Sequence, residues 1–153
     1  MKKIETEIII HAPKTIVWQI LTDFEAYPNW NPFIRSITGQ AAVGKKLDVA
    51  IQITGSKKTF KMQPNVLNYA PQQELRWKGK LWLNGLFDGE HYFQLDALSE
   101  QTTRFVHGEH FSGLFVPLLM KQIGEGTLAG FHAMNAALKS AAEQVASRVV
   151  ARA

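Results

Sequence analysis

The spacing of apolar and polar residues changes from period two to a helical period near the start of the chain. Residues 3–11, KIETEIIIH, mix alternation with a β-branched run, which predicts a strand near the centre of a sheet. Apolar residues then recur at helical spacing, and this predicts a short amphipathic helix at about residues 13–22. Pro13 is compatible with that helix, because the first turn leaves its N–H groups without intrahelical partners.

Residues 23–34, DFEAYPNWNPFI, follow no regular period. Pro28 and Pro32 break this stretch into single turns, since proline lacks the N–H that a helix interior requires. Its large apolar and aromatic side chains are too many for a solvated linker. We therefore predict a rim or lid element whose rings point into the space between sheet and helix, where Trp30 and Phe33 either plug the end of the sheet as core residues or contact a ligand.

Strands and turns alternate from Ser36 to Gly113. Glycines and the Ser99–Thr102 cluster separate the apolar runs. The Asn84-Gly85 pair between aromatic-rich runs predicts a hairpin, and the short connections predict an antiparallel meander. The six predicted strands lie at about residues 36–42, 46–54, 59–69, 73–83, 87–97 and 102–112.

One apolar stripe runs from Leu119 to Val145 and predicts a long helix at about residues 115–147. A long helix with an apolar face and an antiparallel sheet must each bury one side. The predicted fold class is therefore α+β: a curved seven-stranded antiparallel sheet wrapped around the C-terminal helix, with short helices between the first two strands. No internal repeat divides the chain, so residues 1–153 are predicted to form a single domain.

Composition narrows the class of protein. The 153 residues are 46% hydrophobic and 20% charged, and they include no run long enough for stable membrane insertion. Glu5 and Glu7 interrupt what would be the apolar part of a signal peptide, and cysteine is absent, so a cytoplasmic location is the expectation. The formal charge of +4 comes from dispersed lysine pairs, which does not indicate nucleic acid as a partner.

Four segments carry a resemblance to a known superfamily. They are IETEIIIHAPKTIVWQILTDFEAYPNWNPFI, ELRWKGKL, GLFDGEHYFQL and the close TRFVHGEHFSGLFVPLL…GFHAMNAALK. The most specific pieces are Ala12-Pro13 with Val17-Trp18, then Trp30-Asn31-Pro32, and finally Phe105–Gly113. From Ile4 to about Glu143 the chain resembles the START-like or SRPBCC superfamily of polyketide cyclases/dehydrases and lipid-transport proteins, in particular its bacterial branch.

The resemblance implies the helix-grip fold, with an elongated pocket between the sheet and the long helix. Members of the superfamily bind lipids, hormones or aromatic polyketides, and some catalyse cyclisation. Because one fold serves several functions, the function has to be argued from the site.

Alternation indicates which side chains face such a pocket. In strand 87–97, His91 shares a face with apolar residues, whereas Glu90 and Gln94 lie opposite. In strand 102–112, His107 and Glu109 share a face with two phenylalanines. Taking the apolar face as inward places His91, His107 and Glu109 near the pocket wall.

Three interpretations of these residues remain open. Each can be a wall residue satisfied by a neighbour, as most buried polar groups are. They can instead orient the polar end of a ligand, since small-molecule sites are mostly apolar with a few polar groups. They can also be catalytic, with His91 or His107 as a base and Glu109 in support, because a histidine titrates near neutral pH.

No metal site or cofactor is predicted. The HGEH stretch at 107–110 lacks the one-turn helical spacing that brings two histidines to one zinc ion. On a strand, its odd spacing sends His107 and His110 to opposite faces. No glycine-rich phosphate loop follows a strand, and Ser112 lacks the context of a nucleophile elbow.

Three glycines lie in the first half of the C-terminal helix, at 124, 126 and 130. Each costs about 1 kcal/mol relative to alanine in a helix interior. Either the helix packs closely on the sheet there, or the glycines leave room for a ligand.

The first hypothesis is a binding module for a small hydrophobic, lipid-like or polyketide-like molecule, with His91 and Glu109 at its polar end. The second is a cyclase or dehydratase, and the third a chaperone-cofactor or partner-binding module. The oligomeric state, monomer or homodimer, stays open. The predicted ligand-binding residues are Trp30, Phe33, Met62, Trp77, Phe87, His91, Phe93, Phe111, Ile123 and Phe131.

Overall fold

A computed structural model describes residues 1–80, 83 and 85–153. Its described part is an α+β arrangement of eight strands and three α-helices, with one 3₁₀ turn at Phe24–Ala26. The helices are α1 (Lys14–Thr22), α2 (Tyr27–Trp30) and α3 (Val116–Arg152). The strands are β1 (Lys2–Ile10), β2 (Ile34–Thr38), β3 (Asp48–Gln52), β4 (Thr59–Met62), β5 (Asn65–Ala70), β6 (Glu74–Lys80), β7 (Asp88–Ser99) and β8 (Thr102–Ser112).

The described strands form two antiparallel sheets instead of one. The larger has the order β1-β8-β7-β6-β5 and the smaller the order β2-β3-β4. The predicted α+β fold with a long C-terminal helix is confirmed, but the prediction of a single seven-stranded sheet is wrong. The stretch expected as one strand at 59–69 divides at Pro64, which cannot donate a backbone hydrogen bond to a ladder. The chain passes there from the small sheet into the large one.

The aromatic segment after α1 forms short turns, as its prolines predict. Tyr27 is buried, and its hydroxyl donates a hydrogen bond of 2.5 Å to the carbonyl of Leu21. The side-chain oxygen of Asn31 accepts from the backbone N–H groups of Phe33 and Ile34, both at 2.9 Å. These two hydrogen bonds turn the chain sharply, so that the Phe33 ring enters the interior. The centroid of this ring lies 5.3 Å from that of the Phe131 ring.

Helix α3 packs closely against the rest of the fold at two of its glycines. A Cβ atom at Gly130 would overlap the Phe33 ring, and one at Gly126 would lie 2.6 Å from the carbonyl oxygen of Thr54. At Gly124 the nearest neighbour is the flexible end of Met120, at 3.3 Å. Close packing therefore explains Gly126 and Gly130, and Gly124 is not tightly constrained.

Two sequence features of the β6–β7 hairpin lie outside the described residues: Asn84 of the predicted turn and Leu81 at the end of the predicted strand. The strands themselves pair antiparallel, with Lys80 opposite Asp88. In the described part of the chain, none of the helices is both long enough and apolar enough to cross a bilayer.

Replacing Gly130 by alanine is expected to lower the free energy of unfolding by roughly 1–3 kcal/mol. The new methyl group collides with a buried ring, and this outweighs the gain in helix propensity. Gly124→Ala is the matched control, and it should be neutral or stabilising by about 1 kcal/mol. Urea unfolding measures both variants. Equal stability of Gly130→Ala and wild type would show that Phe33 has room to move.

Candidate functional site

A cavity of about 110 Å³ lies between the two sheets and the first half of α3. Nine of its thirteen lining residues are large and apolar, two are glycines, and Glu109 and Thr127 are the polar ones. The lining consists of Phe33, Ile51, Ile53, Phe60, Met62, Gly79, Phe87, Gly89, Glu109, Phe111, Leu119, Ile123 and Thr127.

Two strand glycines leave space for this cavity. A Cβ atom at Gly89 would overlap Oε1 of Glu109, and one at Gly79 would lie 3.1 Å from the Cε atom of Met62. Side chains at both positions would point into the interior, because alternation along β6 and β7 directs them to the buried face. Glycine in a strand often marks such a close approach or an open space.

The cavity lining includes half of the residues that the sequence predicts for ligand binding. These are Phe33, Met62, Phe87, Phe111 and Ile123, and Glu109 lies on the same wall. Of the other five, four pack among one another in the core, and the fifth, Trp30, lies at the end of α2 with its ring against Tyr27. The four in the core are Trp77, His91, Phe93 and Phe131.

Both predicted histidines lie in the aromatic core behind Glu109. The His107 ring stacks on Phe131 with 3.8 Å between the ring centroids, and the His91 ring stacks on Trp77 at 4.9 Å. Their exposed fractions are 0% and 1%. Only Glu109, of the three predicted catalytic residues, therefore faces the cavity.

Sequence reasoning missed Ile51 of β3, Ile53 just after it and Phe60 of β4, and also Leu119 and Thr127 of α3. Alternation identifies Ile51 and Ile53 as one face of a strand, but it does not show that this strand folds over the large sheet. Such a placement depends on where the chain changes sheets.

Five buried side chains form a continuous hydrogen-bonded chain across the core. Oε2 of Glu109 lies 3.3 Å from Nδ1 of His91, and Nε2 of His91 lies 2.9 Å from Nε2 of His107. Nδ1 of His107 lies 3.0 Å from Oδ1 of Asn135, whose Nδ2 donates to the Thr6 hydroxyl at 2.8 Å. This hydrogen-bonded chain joins β7, β8, α3 and β1.

Burial sets the charge of these groups. It raises the pKa of Glu109 to about 8 and lowers the pKa of His91 to about 3. Burial also holds the pKa of His107 well below its ordinary value, and the neighbouring His91 lowers it further. Although Glu109 and His91 are close enough for an ion pair, desolvation favours a neutral hydrogen bond near pH 7.

The HGEH stretch has one histidine on each side of the sheet. His107 is buried inside, whereas the ring of His110 stacks on Tyr92 on the outer face, with 5.3 Å between the ring centroids. Among residues 1–80, 83 and 85–153, no group of three or more His, Cys, Asp or Glu residues is arranged so that it could hold a metal ion.

A family model named polyketide cyclase/dehydrase and lipid transport matches residues 1–151. The chain belongs to this family. A comparison with curated proteins finds no match for this member of the polyketide cyclase/dehydrase and lipid transport family.

Solved structures show the same fold at low sequence identity. A START superfamily protein from Mycobacterium smegmatis is 21% identical, with a TM-score of 0.71 over 94% of this chain and 98% of that one. The Zhui aromatase/cyclase from Streptomyces sp. R1128 is 15% identical, with a TM-score of 0.69 over 94% of each chain. Norcoclaurine synthase from Thalictrum flavum is also 15% identical, with a TM-score of 0.70 over 94% of each chain. These matches show the fold alone.

The buried carboxyl predicts a specific dependence of stability on pH. Because the folded state raises the pKa of Glu109 from 4.5 to about 8, folded protein retains a proton that the unfolded chain releases. The contribution of Glu109 to the free energy of unfolding therefore decreases as pH rises from about 4.5 to 8. Below pH 6.5 the two histidines have the opposite effect. Their folded pKa values lie below 6.5, so their contribution to stability increases as pH rises towards 6.5.

Between pH 6.5 and 8, wild type is therefore expected to lose up to about 2 kcal/mol of stability through Glu109. Glu109→Gln should lack this loss, because the amide does not titrate. Urea unfolding of both proteins at several pH values in this range measures the difference. Parallel profiles would mean that Glu109 has no raised pKa.

Proposed function

We propose that this protein binds a small, largely apolar organic molecule in the cavity between the two sheets and α3. The observation that carries the proposal is a cavity lined by nine large apolar side chains, with one ionisable group, Glu109, among its described lining residues. Small-molecule sites have this composition: an apolar wall with a few polar groups that orient the ligand.

The volume of the cavity limits the part of the ligand that is enclosed. An apolar cavity of about 150 Å³ is enough to admit benzene. At about 110 Å³ this cavity is smaller than that, so we expect it to enclose a short aliphatic segment or most of one aromatic ring, with the rest at its open side. A longer ligand would extend past Phe60, which is 37% exposed, towards the groove between residues 53–56 and 122–126.

In this proposal, the affinity comes from the apolar side chains that line the cavity. Phe33, Met62, Phe87, Phe111 and Ile123 make the direct contacts. The remaining predicted residues, including Trp77, Phe93 and Phe131, hold that wall in place from behind. The names aromatase/cyclase and norcoclaurine synthase among the similar structures support a small organic molecule as the ligand class.

A second candidate function is proton-transfer catalysis of the cyclase or dehydratase type. It is favoured by the hydrogen-bonded chain that ends at the cavity, since Glu109 can exchange a proton with a bound molecule. In this version Glu109 makes the contact, and His91 and His107 act through it.

The binding proposal predicts that filling the cavity weakens binding of a small ring. Ile123→Trp places a larger side chain in the cavity, and we expect it to weaken toluene binding by roughly tenfold or more, that is by at least about 1.4 kcal/mol. Leu128→Trp is the control, because Leu128 lies on the same helix, is 40% exposed and does not line the cavity.

Titration with toluene, followed by NMR of the Ile51 and Thr127 methyl groups, measures this affinity. Undiminished binding to Ile123→Trp, or the absence of binding to wild type, would contradict the proposal.

A natural ligand would separate the two candidate functions. Native mass spectrometry of protein purified from its own host is expected to show a copurified molecule of the class described above. With that molecule, a carrier should show no turnover, and Glu109→Leu, which removes the polar group from the cavity wall, should reduce its affinity. An enzyme should turn the molecule over, and Glu109→Gln, which cannot exchange a proton, should abolish turnover with affinity largely unchanged.

A further inference from the structure

The direction of the buried hydrogen-bonded chain determines what Glu109 offers to the cavity. The backbone carbonyl of His107 fixes this direction, because a carbonyl can only accept a hydrogen bond. The hydroxyl of Thr6 donates to that carbonyl at 3.2 Å. A hydroxyl has one hydrogen, so Thr6 accepts from Nδ2 of Asn135, and Oδ1 of Asn135 then faces His107.

The orientation of Asn135 then determines which ring nitrogen of each histidine carries a hydrogen. His107 donates from Nδ1 to Oδ1 of Asn135, so in the neutral ring its Nε2 is an acceptor. Nε2 of His91 therefore carries a hydrogen and donates to it. The remaining nitrogen of His91, Nδ1, is left as an acceptor.

Glu109 completes the chain as a donor. Its Oε2 carries the proton and donates to Nδ1 of His91. Its other oxygen, Oε1, is then a carbonyl-type acceptor, and it lies against Gly89 on the cavity wall. Among the described residues no hydrogen-bond partner is found for Oε1, although Glu109 is only 7% exposed.

We infer that the cavity selects ligands that present a hydrogen-bond donor to Oε1 of Glu109, namely a ring or short chain that carries a hydroxyl group. This inference rests on the proposed function and adds the chemical class of the ligand. A ligand carbonyl or carboxylate at the same place would meet lone pairs, and both acceptors would stay unpaired at a cost in affinity. The other polar lining residue, Thr127, has a hydroxyl that both donates and accepts, so it does not discriminate.

Two substitutions separate the contribution of Oε1 from that of the cavity itself. In Glu109→Gln, the amide N–H₂ replaces the Oε2 hydroxyl as donor to His91, so the amide oxygen still faces the cavity. In Glu109→Leu no acceptor remains. His91 thus acts as a positioning residue that decides which end of the glutamine turns inward.

The test uses phenol and fluorobenzene, which differ in whether the ring substituent can donate. The measured quantity is the ratio of the fluorobenzene Kd to the phenol Kd, obtained by NMR titration. This ratio is expected to fall roughly fivefold from wild type to Glu109→Leu, the value of one neutral hydrogen bond. It should be preserved in Glu109→Gln.

The outcomes distinguish this inference from the function on which it rests. If wild type binds both rings and the ratio is the same in Glu109→Leu, the cavity binds small molecules but the donor selectivity is overturned. A Glu109→Gln protein that instead gains affinity for benzaldehyde, an acceptor, would show that the chain runs in the opposite direction. Failure of both rings to bind wild type would overturn the proposed function itself.

Should Glu109→Leu fail to fold, Glu109→Met supplies the same loss of the acceptor with a more flexible side chain. NMR spectra of each variant without ligand establish that it is folded before the titration.

Discussion

The core of this protein depends on keeping five buried polar side chains fully hydrogen bonded. An unpaired polar group in such a place costs about 1–3 kcal/mol, so the chain from Thr6 to Glu109 is stable only when every link is made. It joins β1, α3, β8 and β7 and therefore ties the long helix to the sheet. At the end of this hydrogen-bonded chain, Oε1 of Glu109 faces the cavity.

The cavity exists because glycines take the place of larger residues where side chains of the strands would otherwise fill it. At Gly79 and Gly89 the inner face of the large sheet has no side chains, while the small sheet covers the opening with Ile51 and Phe60, and Ile53 follows directly after β3. The close approach of Gly130 to Phe33 sets the position of α3 at the other end. The aromatic rings behind the wall keep it from collapsing, since protein interiors deform little.

Membership of the polyketide cyclase/dehydrase and lipid transport family accounts for this architecture, and the similar structures share it at 15–21% identity. Function within such a fold belongs to the site. Here the site combines an apolar enclosure with one carboxyl, which burial keeps neutral and which two histidines outside the cavity lining orient through hydrogen bonds. The two candidate functions, ligand binding and proton transfer, both involve that carboxyl in our proposal, so they share one structural origin.

The sequence by itself determined the class of fold, the approximate positions of most elements and the inward face of β7 and β8, because these follow from local periodicity. Alternation therefore placed His91, His107 and Glu109 on the buried side. Only the tertiary structure decided that Glu109 faces the cavity and that both histidines lie in the core. The reason is that period two specifies a face but not what covers it. Thr6 and Asn135 meet across 129 positions of the chain, and the small sheet that covers the cavity ends where the chain crosses to the large sheet near Pro64.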